Sequence, residues 1–116
     1  MPIFDSNSLE VTPEQAQAAI AEDQAQIIDV REPYEWEAGR IEGAEHIALD
    51  QLQFNLTKID SDRPVIFQCR VGGRSMMAAQ ALRGVGIDAY SMAGGLLRWA
   101  NEDRPLMPEG GHVANH

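Results

Sequence analysis

The sequence is poor in cysteine and in long apolar runs, and each shortage excludes a class of protein. Its single cysteine, Cys69, has no partner for an internal disulfide, which is typical of a protein from a reducing compartment. No apolar run approaches the roughly 20 residues that cross a bilayer, and the N-terminal stretch has neither a basic leader nor an apolar h-region. We therefore expect a cytoplasmic protein that is not embedded in a membrane.

Basic residues are also few. Nine Lys and Arg stand against eighteen Asp and Glu, so the formal net charge is −9. Binding to nucleic acid or to an anionic membrane depends on Lys and Arg that neutralise phosphates, so we expect neither partner. A chain of 116 residues is long enough for one sizeable core and too short for two, which predicts one domain with one site.

Short apolar segments alternate with helical ones, a pattern typical of a parallel sheet covered by helices. Strands are predicted at QIIDV, EHIAL, PVIFQ and IDAYSM. Helices are predicted at EVTPEQAQAAIAED, after Pro33, and at LDQLQFNLTKI, SMMAAQALRG and GLLRWANED. The chain turns rich in Pro and Gly after Arg104, so we predict one domain over 1–108 and a flexible C-terminal tail over 109–116.

Cys69 follows the clearest strand, PVIFQ, and precedes a helix, which places it where open α/β folds bind their ligands. Gly72 and Gly73 allow the next loop to curl with its N–H groups inward, and such a nest binds an anion. The positive end of the following helix and the guanidinium groups of Arg70 and Arg74 favour thiolate over thiol at Cys69. The pattern predicts an exposed, reactive thiolate. A buried, inert cysteine would be expected among apolar neighbours, whereas this loop is cationic.

The length of this loop limits what it can surround. The spacing is C-x4-R, whereas cysteine-dependent phosphatases typically show H-C-x5-R to make room for a phosphoryl group. Here Gln68 precedes the cysteine, and Ser75 stands where that arginine would fall. A tighter loop suits a smaller passenger, such as one extra sulfur atom held as a persulfide, and leaves a phosphatase of small anions as a remote alternative.

Three ordered segments resemble the signatures of the rhodanese-like sulfurtransferases, in particular their single-domain members: IIDVREPYEWEAGRIEGAEHIAL, QCRVGGRS and MAGGLLRWANEDRPL. Arg40 and Glu42 depart from the family pattern, which often has His and Pro there. The resemblance implies an α/β domain with a parallel sheet of about five strands flanked by helices on both faces.

The resemblance also implies a ping-pong reaction. Cys69 would take a sulfane sulfur from thiosulfate or another donor and hold it as a persulfide. A thiol acceptor, such as a small redox protein, or cyanide would then remove it. The loop would bind the anionic donor through Arg70, Val71, Gly72, Gly73, Arg74 and Ser75. No metal or organic cofactor is implied. An alternative is a sulfur-relay module that is loaded by a protein partner and turns over free thiosulfate poorly.

Polar residues outside the loop have simpler interpretations. Asp29 and Arg31, at the end of a strand beside the site, could touch a substrate. A structural role is favoured, in which Asp29 accepts hydrogen bonds from neighbouring loop N–H groups and Arg31 pairs with a nearby group. Arg74 has a second interpretation as one half of a structural ion pair.

The remaining ionisable candidates are predicted to stay outside the chemistry. Glu32, Glu35 and Glu37 are predicted to form a solvated helix face. His46 is predicted at a strand or strand edge, because no feature places it against Cys69 to act as a base.

Overall fold

The computed structural model describes residues 2–116 and confirms the predicted parallel α/β architecture. Five parallel strands run in the order β1, β5, β4, β2, β3. Their bounds are Glu10–Val11 for β1, Gln26–Asp29 for β2, Glu45–His46 for β3, Val65–Gln68 for β4 and Ala89–Met92 for β5. The sequence did not predict β1, because two residues at the edge of a sheet are too short to show a period.

Helices cover both faces of the sheet, as predicted. Their bounds are Pro13–Ala21 for α1, Pro33–Ala38 for α2, Gly73–Arg83 for α3 and Gly95–Asn101 for α4. One apolar cluster joins α1 and α4 to the sheet, and a second joins α3 to the opposite face. Of the helices described within residues 2–116, none is long and apolar enough to cross a membrane.

The first helix begins as its sequence predicts. Thr12 Oγ1 accepts a hydrogen bond from the Gln15 N–H at 3.1 Å, and Gln15 Oε1 accepts one from the Thr12 N–H at 2.8 Å. This reciprocal capping satisfies two backbone donors that have no acceptor within the helix. Pro13 follows at the first helical position, where a missing N–H does no harm.

The helix predicted at LDQLQFNLTKI is present but interrupted. The segment forms two short 3₁₀ helices, Leu49–Phe54 and Leu56–Lys58, which are separated by Asn55 at φ −130° and ψ 23°. In a 3₁₀ helix, side chains three residues apart align. Leu49 and Leu52 have this spacing, and both pack into the cluster beneath α3. This packing suits the tighter helix, whose type the sequence did not predict.

The C-terminal segment lies beside α2. The His112 N–H donates to the Ala38 carbonyl at 2.9 Å, and Tyr34 Oη donates to the Asn115 carbonyl at 3.2 Å. Val113 packs against the core cluster that contains α4. These contacts place the segment against the domain, and its flexibility over 109–116 stays a prediction.

Candidate active site

Cys69 lies at the carboxyl end of β4, four residues before the start of α3. Successive residues of a strand alternate between faces, so Val65, Phe67 and Cys69 share the face that α3 covers. All three belong to that buried cluster, and Cys69 is only 1% exposed. The prediction of an exposed thiolate is therefore wrong, because the strand continues its alternation through the cysteine.

The sulfur is nevertheless set among donors rather than in a purely apolar site. Sγ of Cys69 accepts hydrogen bonds from the Gly72 N–H at 3.1 Å and from the Ser75 N–H at 3.4 Å. It also lies 3.4 Å from Ser75 Oγ, which is 2.7 Å from Ser91 Oγ. Gly72 makes this curl possible at φ 119°, a conformation that side-chain-bearing residues rarely adopt. The predicted nest of amides is thus present around the sulfur.

The outer side of the loop is held by α4. The Leu96 N–H donates to the Cys69 carbonyl at 2.8 Å, and the Leu97 N–H donates to the Arg70 carbonyl at 3.0 Å. Gly95, at φ 60°, permits this approach, since a Cβ there would lie 2.5 Å from the Arg70 carbonyl oxygen. The sequence marked this segment only as a family signature and did not predict that it holds the loop.

The two arginines of the loop are not equivalent. Arg74 forms a two-pronged ion pair with Glu35: Nη1 donates to Oε1 at 2.7 Å and Nη2 donates to Oε2 at 2.9 Å. The alternative interpretation of Arg74, a structural ion pair, is confirmed. Arg70 is partly buried, and across residues 2–116 it has neither an ion pair nor a hydrogen-bond partner for its buried Nε. The unpaired cation of the loop is therefore Arg70.

Glu35 is wrongly predicted as a solvated residue. Its side chain is fully buried, and its Oε1 also accepts the Glu32 N–H at 3.0 Å, which caps α2. Burial alone would raise the pKa of Glu35, but hydrogen bonds from Arg74 and from the Glu32 backbone outweigh it and hold the pKa below its usual value of 4.5. Glu35 is thus ionised at neutral pH. Glu32 and Glu37 are exposed, as predicted.

Asp29 and Arg31 have structural roles at the end of β2, as predicted, and they pair with each other, which the sequence did not predict. Arg31 Nη2 donates to Asp29 Oδ2 at 2.6 Å and to the Gly39 carbonyl at 2.7 Å, and both side chains of the pair are 0% exposed. Asp29 Oδ1 also accepts the Arg31 N–H at 3.0 Å. The pair fastens the strand end and has no hydrogen bond to the sulfur.

His46 lies at the edge of the sheet, as predicted, in β3. Its Nε2 is 2.7 Å from the Arg31 carbonyl, and its ring stacks on Trp36 with centroids 5.1 Å apart. No hydrogen bond joins it to Cys69. Across residues 2–116, no three His, Cys, Asp or Glu side chains come together in a way that could hold a metal ion.

The loop residues differ in what they offer a ligand. Val71 contributes an exposed apolar side chain, 54% accessible. Gly73 and Arg74 open α3, so their N–H groups have no acceptor within the helix. Binding of a donor by these residues stays a prediction. The groups in contact with the sulfur are two N–H groups and one hydroxyl.

Comparisons with known proteins agree with the fold. The profile of the family described as Rhodanese-like domain matches residues 12–102. The uncharacterized protein YqhL of Bacillus subtilis is 44% identical over 79 residues, 67% of this chain and 63% of YqhL. The tRNA sulfurtransferase of Desulfurococcus amylolyticus is 41% identical over 73 residues, 63% of this chain and 14% of that protein.

Among solved structures, a rhodanese-like domain protein from Staphylococcus aureus is similar with a TM-score of 0.74 and 27% identity, over 91% of this chain and 98% of that one. The chain spans less than two thirds of the length of either curated relative. The match over most of the chain, together with a cysteine held by loop amides after β4, shows that the chain belongs to the family of rhodanese-like domains.

Proposed function

We propose that the protein is a sulfurtransferase that moves a sulfane sulfur from thiosulfate, or a similar anionic donor, to a thiol or cyanide. The carrying observation is the ring of donors on Cys69 Sγ, from the Gly72 and Ser75 N–H groups at the start of α3. Amides fixed around a sulfur stabilise negative charge without reorganising, and they favour the thiolate as the nucleophile.

The reaction has two balanced steps. The Cys69 thiolate attacks the outer sulfur of thiosulfate, the S–S bond breaks, and sulfite leaves with the electron pair. The product is a persulfide anion on Cys69, whose charge the loop amides stabilise. An acceptor thiolate or cyanide then attacks the terminal sulfur, takes it, and returns the Cys69 thiolate.

Burial of the sulfur supports a small passenger. At 1% exposure, Cys69 can be reached by a single projecting atom, such as the outer sulfur of thiosulfate, more easily than by a tetrahedral phosphoryl group. Arg70 supplies the unpaired positive charge beside the loop and is the best-placed side chain to hold the sulfonate end of a donor.

Intact mass spectrometry tests the proposal. Incubation with thiosulfate is expected to add about 32 Da, one sulfur atom, and cyanide is expected to remove it with release of thiocyanate. The chain has one cysteine, so the gain reports on Cys69 alone. Cys69→Ser is the matched control and should gain nothing while keeping the fold. Turnover of an aryl phosphate by a protein that gains no mass would contradict the proposal and favour the phosphatase.

A relay loaded by a protein partner is a second candidate, and the apolar surface beside the loop favours it. Val71 in the loop and Met77 in the second turn of α3 are 54% and 61% exposed. Exposed apolar residues gathered near a reactive group are typical of a surface that meets another protein.

Kinetics with two donors separate the candidates. A KM for thiosulfate far above the usual millimolar ceiling, together with fast loading by a persulfidated protein, would favour the relay. Met77→Ser should then slow loading by the protein and leave loading by thiosulfate unchanged. Ile3→Ser is the control, since Ile3 is 40% exposed and lies outside the groove that Met77 lines together with Val85.

A further inference from the structure

Glu35 pairs with Arg74, an arginine of the loop, and makes no hydrogen bond with Cys69. Its two oxygens are taken by three donors: Nη1 and Nη2 of Arg74 at 2.7 and 2.9 Å, and the Glu32 N–H at 3.0 Å. The Glu35 side chain is 0% exposed and that of Arg74 is 19% exposed. A buried carboxylate with full hydrogen bonding and a cationic partner is a fixed negative charge beside the loop.

Arg74 is the link between this charge and the sulfur. The pKa of Arg74 is raised, first by its hydrogen bond to Glu35 against the opposing effect of burial, and further by attraction to Glu35, Cys69 and Asp29. Arg74 directly precedes Ser75, whose N–H lies 3.4 Å from Cys69 Sγ, so the ion pair lies at the base of the loop. Glu35 supplies the opposite charge at hydrogen-bond distance from the same guanidinium, so the field of the pair falls off faster with distance than that of a lone cation.

We propose that Glu35 is a positioning residue that fixes Arg74 beside the loop while neutralising its charge, so that the loop amides, rather than Arg74, govern the reactivity of Cys69. The two-arginine loop then behaves as a one-arginine loop. The consequence for sulfur transfer rests on the proposed function, whereas the electrostatic statement about the thiolate does not.

The test measures how fast iodoacetamide alkylates Cys69 across pH, which reports the thiolate without any sulfur donor. Glu35→Gln keeps the shape and leaves Arg74 uncompensated, so the midpoint of the rate profile should fall by roughly one pH unit. Arg74→Gln leaves Glu35 uncompensated and should raise it. The double variant, Glu35→Gln with Arg74→Gln, should return close to the wild-type midpoint.

A matched control separates this effect from a general change of charge. Glu37→Gln removes the same charge from the exposed side of the same helix, where water screens it, and should shift the midpoint far less than Glu35→Gln does. The other charged groups near the pair, Asp29 and His116, stay unchanged in every variant.

The outcomes divide clearly. An unchanged midpoint in Glu35→Gln would overturn the inference and leave Glu35 with a structural role only. A double variant that matches Glu35→Gln would also overturn it, because the effect would not pass through Arg74. If Glu35→Gln does not fold, the double variant decides the question, because a midpoint well above that of the wild type would show a net positive charge of the pair at the sulfur and would overturn the inference.

Sulfur transfer gives an independent readout. In Glu35→Gln, the added positive field should lower the KM for the dianionic donor and also lower kcat, because a more stable persulfide anion is a poorer sulfur donor to the acceptor. If the alkylation midpoints shift as expected while thiosulfate adds no mass, the inference holds and the proposed function fails. If mass is gained and the midpoints do not move, the reverse is true.

Discussion

Two ion pairs of an arginine with a buried carboxylate, Asp29–Arg31 and Glu35–Arg74, differ in how far apart their members lie in the chain. Asp29 and Arg31 are two residues apart and both are 0% exposed. Glu35 and Arg74 are 39 residues apart, and Arg74 keeps a 19% exposed side chain. The first pair closes on itself at the end of β2. The second joins α2 to the first turn of α3, where the loop around Cys69 ends.

Because of this difference, we expect removal of the first pair to affect the stability of the fold and removal of the second to affect the loop. When a fully buried pair loses one partner, the remaining charge is neither paired nor hydrated, so the fold should lose stability. In a pair with one solvent-accessible member, that member can be hydrated when its partner is removed. The long-range pair, Glu35 and Arg74, can therefore be altered while the domain stays folded, and the effects of altering it should appear at the loop.

The largest loss of stability is expected from breaking the short-range pair, Asp29 and Arg31. Asp29→Asn leaves the Arg31 guanidinium buried without a counter-charge and should lower the free energy of unfolding by about 3–5 kcal/mol. Urea denaturation measures the loss. Asp29→Asn combined with Arg31→Met should recover part of it, because no lone charge remains. A loss below about 1 kcal/mol in the single variant would show that the two pairs are equivalent after all.

The next largest effect tests whether the position of the loop depends more on backbone contacts with α4 than on either ion pair. In Gly95→Ala the new Cβ would lie 2.5 Å from the Arg70 carbonyl oxygen and push the loop off α4. A displacement of about 1 Å in a catalytic group lowers activity on the order of 100-fold, so thiosulfate turnover should fall that far.

Gly86→Ala is the matched control for Gly95→Ala. Gly86 also has a positive φ, at 89°, but its Cβ would meet nothing within 4 Å. Gly86→Ala should therefore introduce similar backbone strain and leave the activity unchanged. Equal loss of activity in both variants would indicate strain rather than contact with the loop.

A smaller effect is expected from breaking the long-range pair. Glu35→Ala should lower the free energy of unfolding by about 1–3 kcal/mol, less than Asp29→Asn, since Arg74 can turn toward water. The same urea titration measures it, and Glu37→Ala on the exposed side of α2 is the control. A loss as large as that of Asp29→Asn would remove the distinction between the pairs.

The smallest effect is the pH dependence of the long-range pair. The pKa of Glu35 is lower in the folded protein than its usual 4.5, so the pair stabilises the fold above about pH 4.5 and that stabilisation is lost as pH falls through the lowered value. Between these pH values, the unfolding free energy of the wild type should fall more steeply than that of Glu35→Gln. Parallel profiles would contradict the prediction. Asp60 and Glu102, whose pKa values are also lowered, are present in both proteins.

Much of the architecture follows from local sequence. Apolar runs and capping residues predict β2, β4, α1 and α3, and the position of Asp29 at a strand end predicts its hydrogen bond with the Arg31 N–H. Position at a strand end and two glycines predict the nest around the sulfur.

What the sequence did not predict depends on distant partners. Glu35 looks like its exposed neighbours Glu32 and Glu37, and only Arg74, 39 residues away, makes it a buried charge. The burial of Cys69 results from α3 folding over the face that Phe67 shares with it. The 3₁₀ geometry of Leu49–Phe54 likewise depends on packing against α3, which local propensity does not contain.

The attachment of the loop to α4 has one more consequence. The carbonyl groups of Cys69 and Arg70 both accept hydrogen bonds from N–H groups of α4, and the backbone groups that contact the sulfur are the N–H groups of Gly72 and Ser75. The partial positive charge at the sulfur therefore comes from the course of the backbone. If the proposed function holds, replacing Val71 or Arg70 should change which anion enters and how fast, and a preference for an anion over a cation should persist, because these N–H groups belong to no side chain.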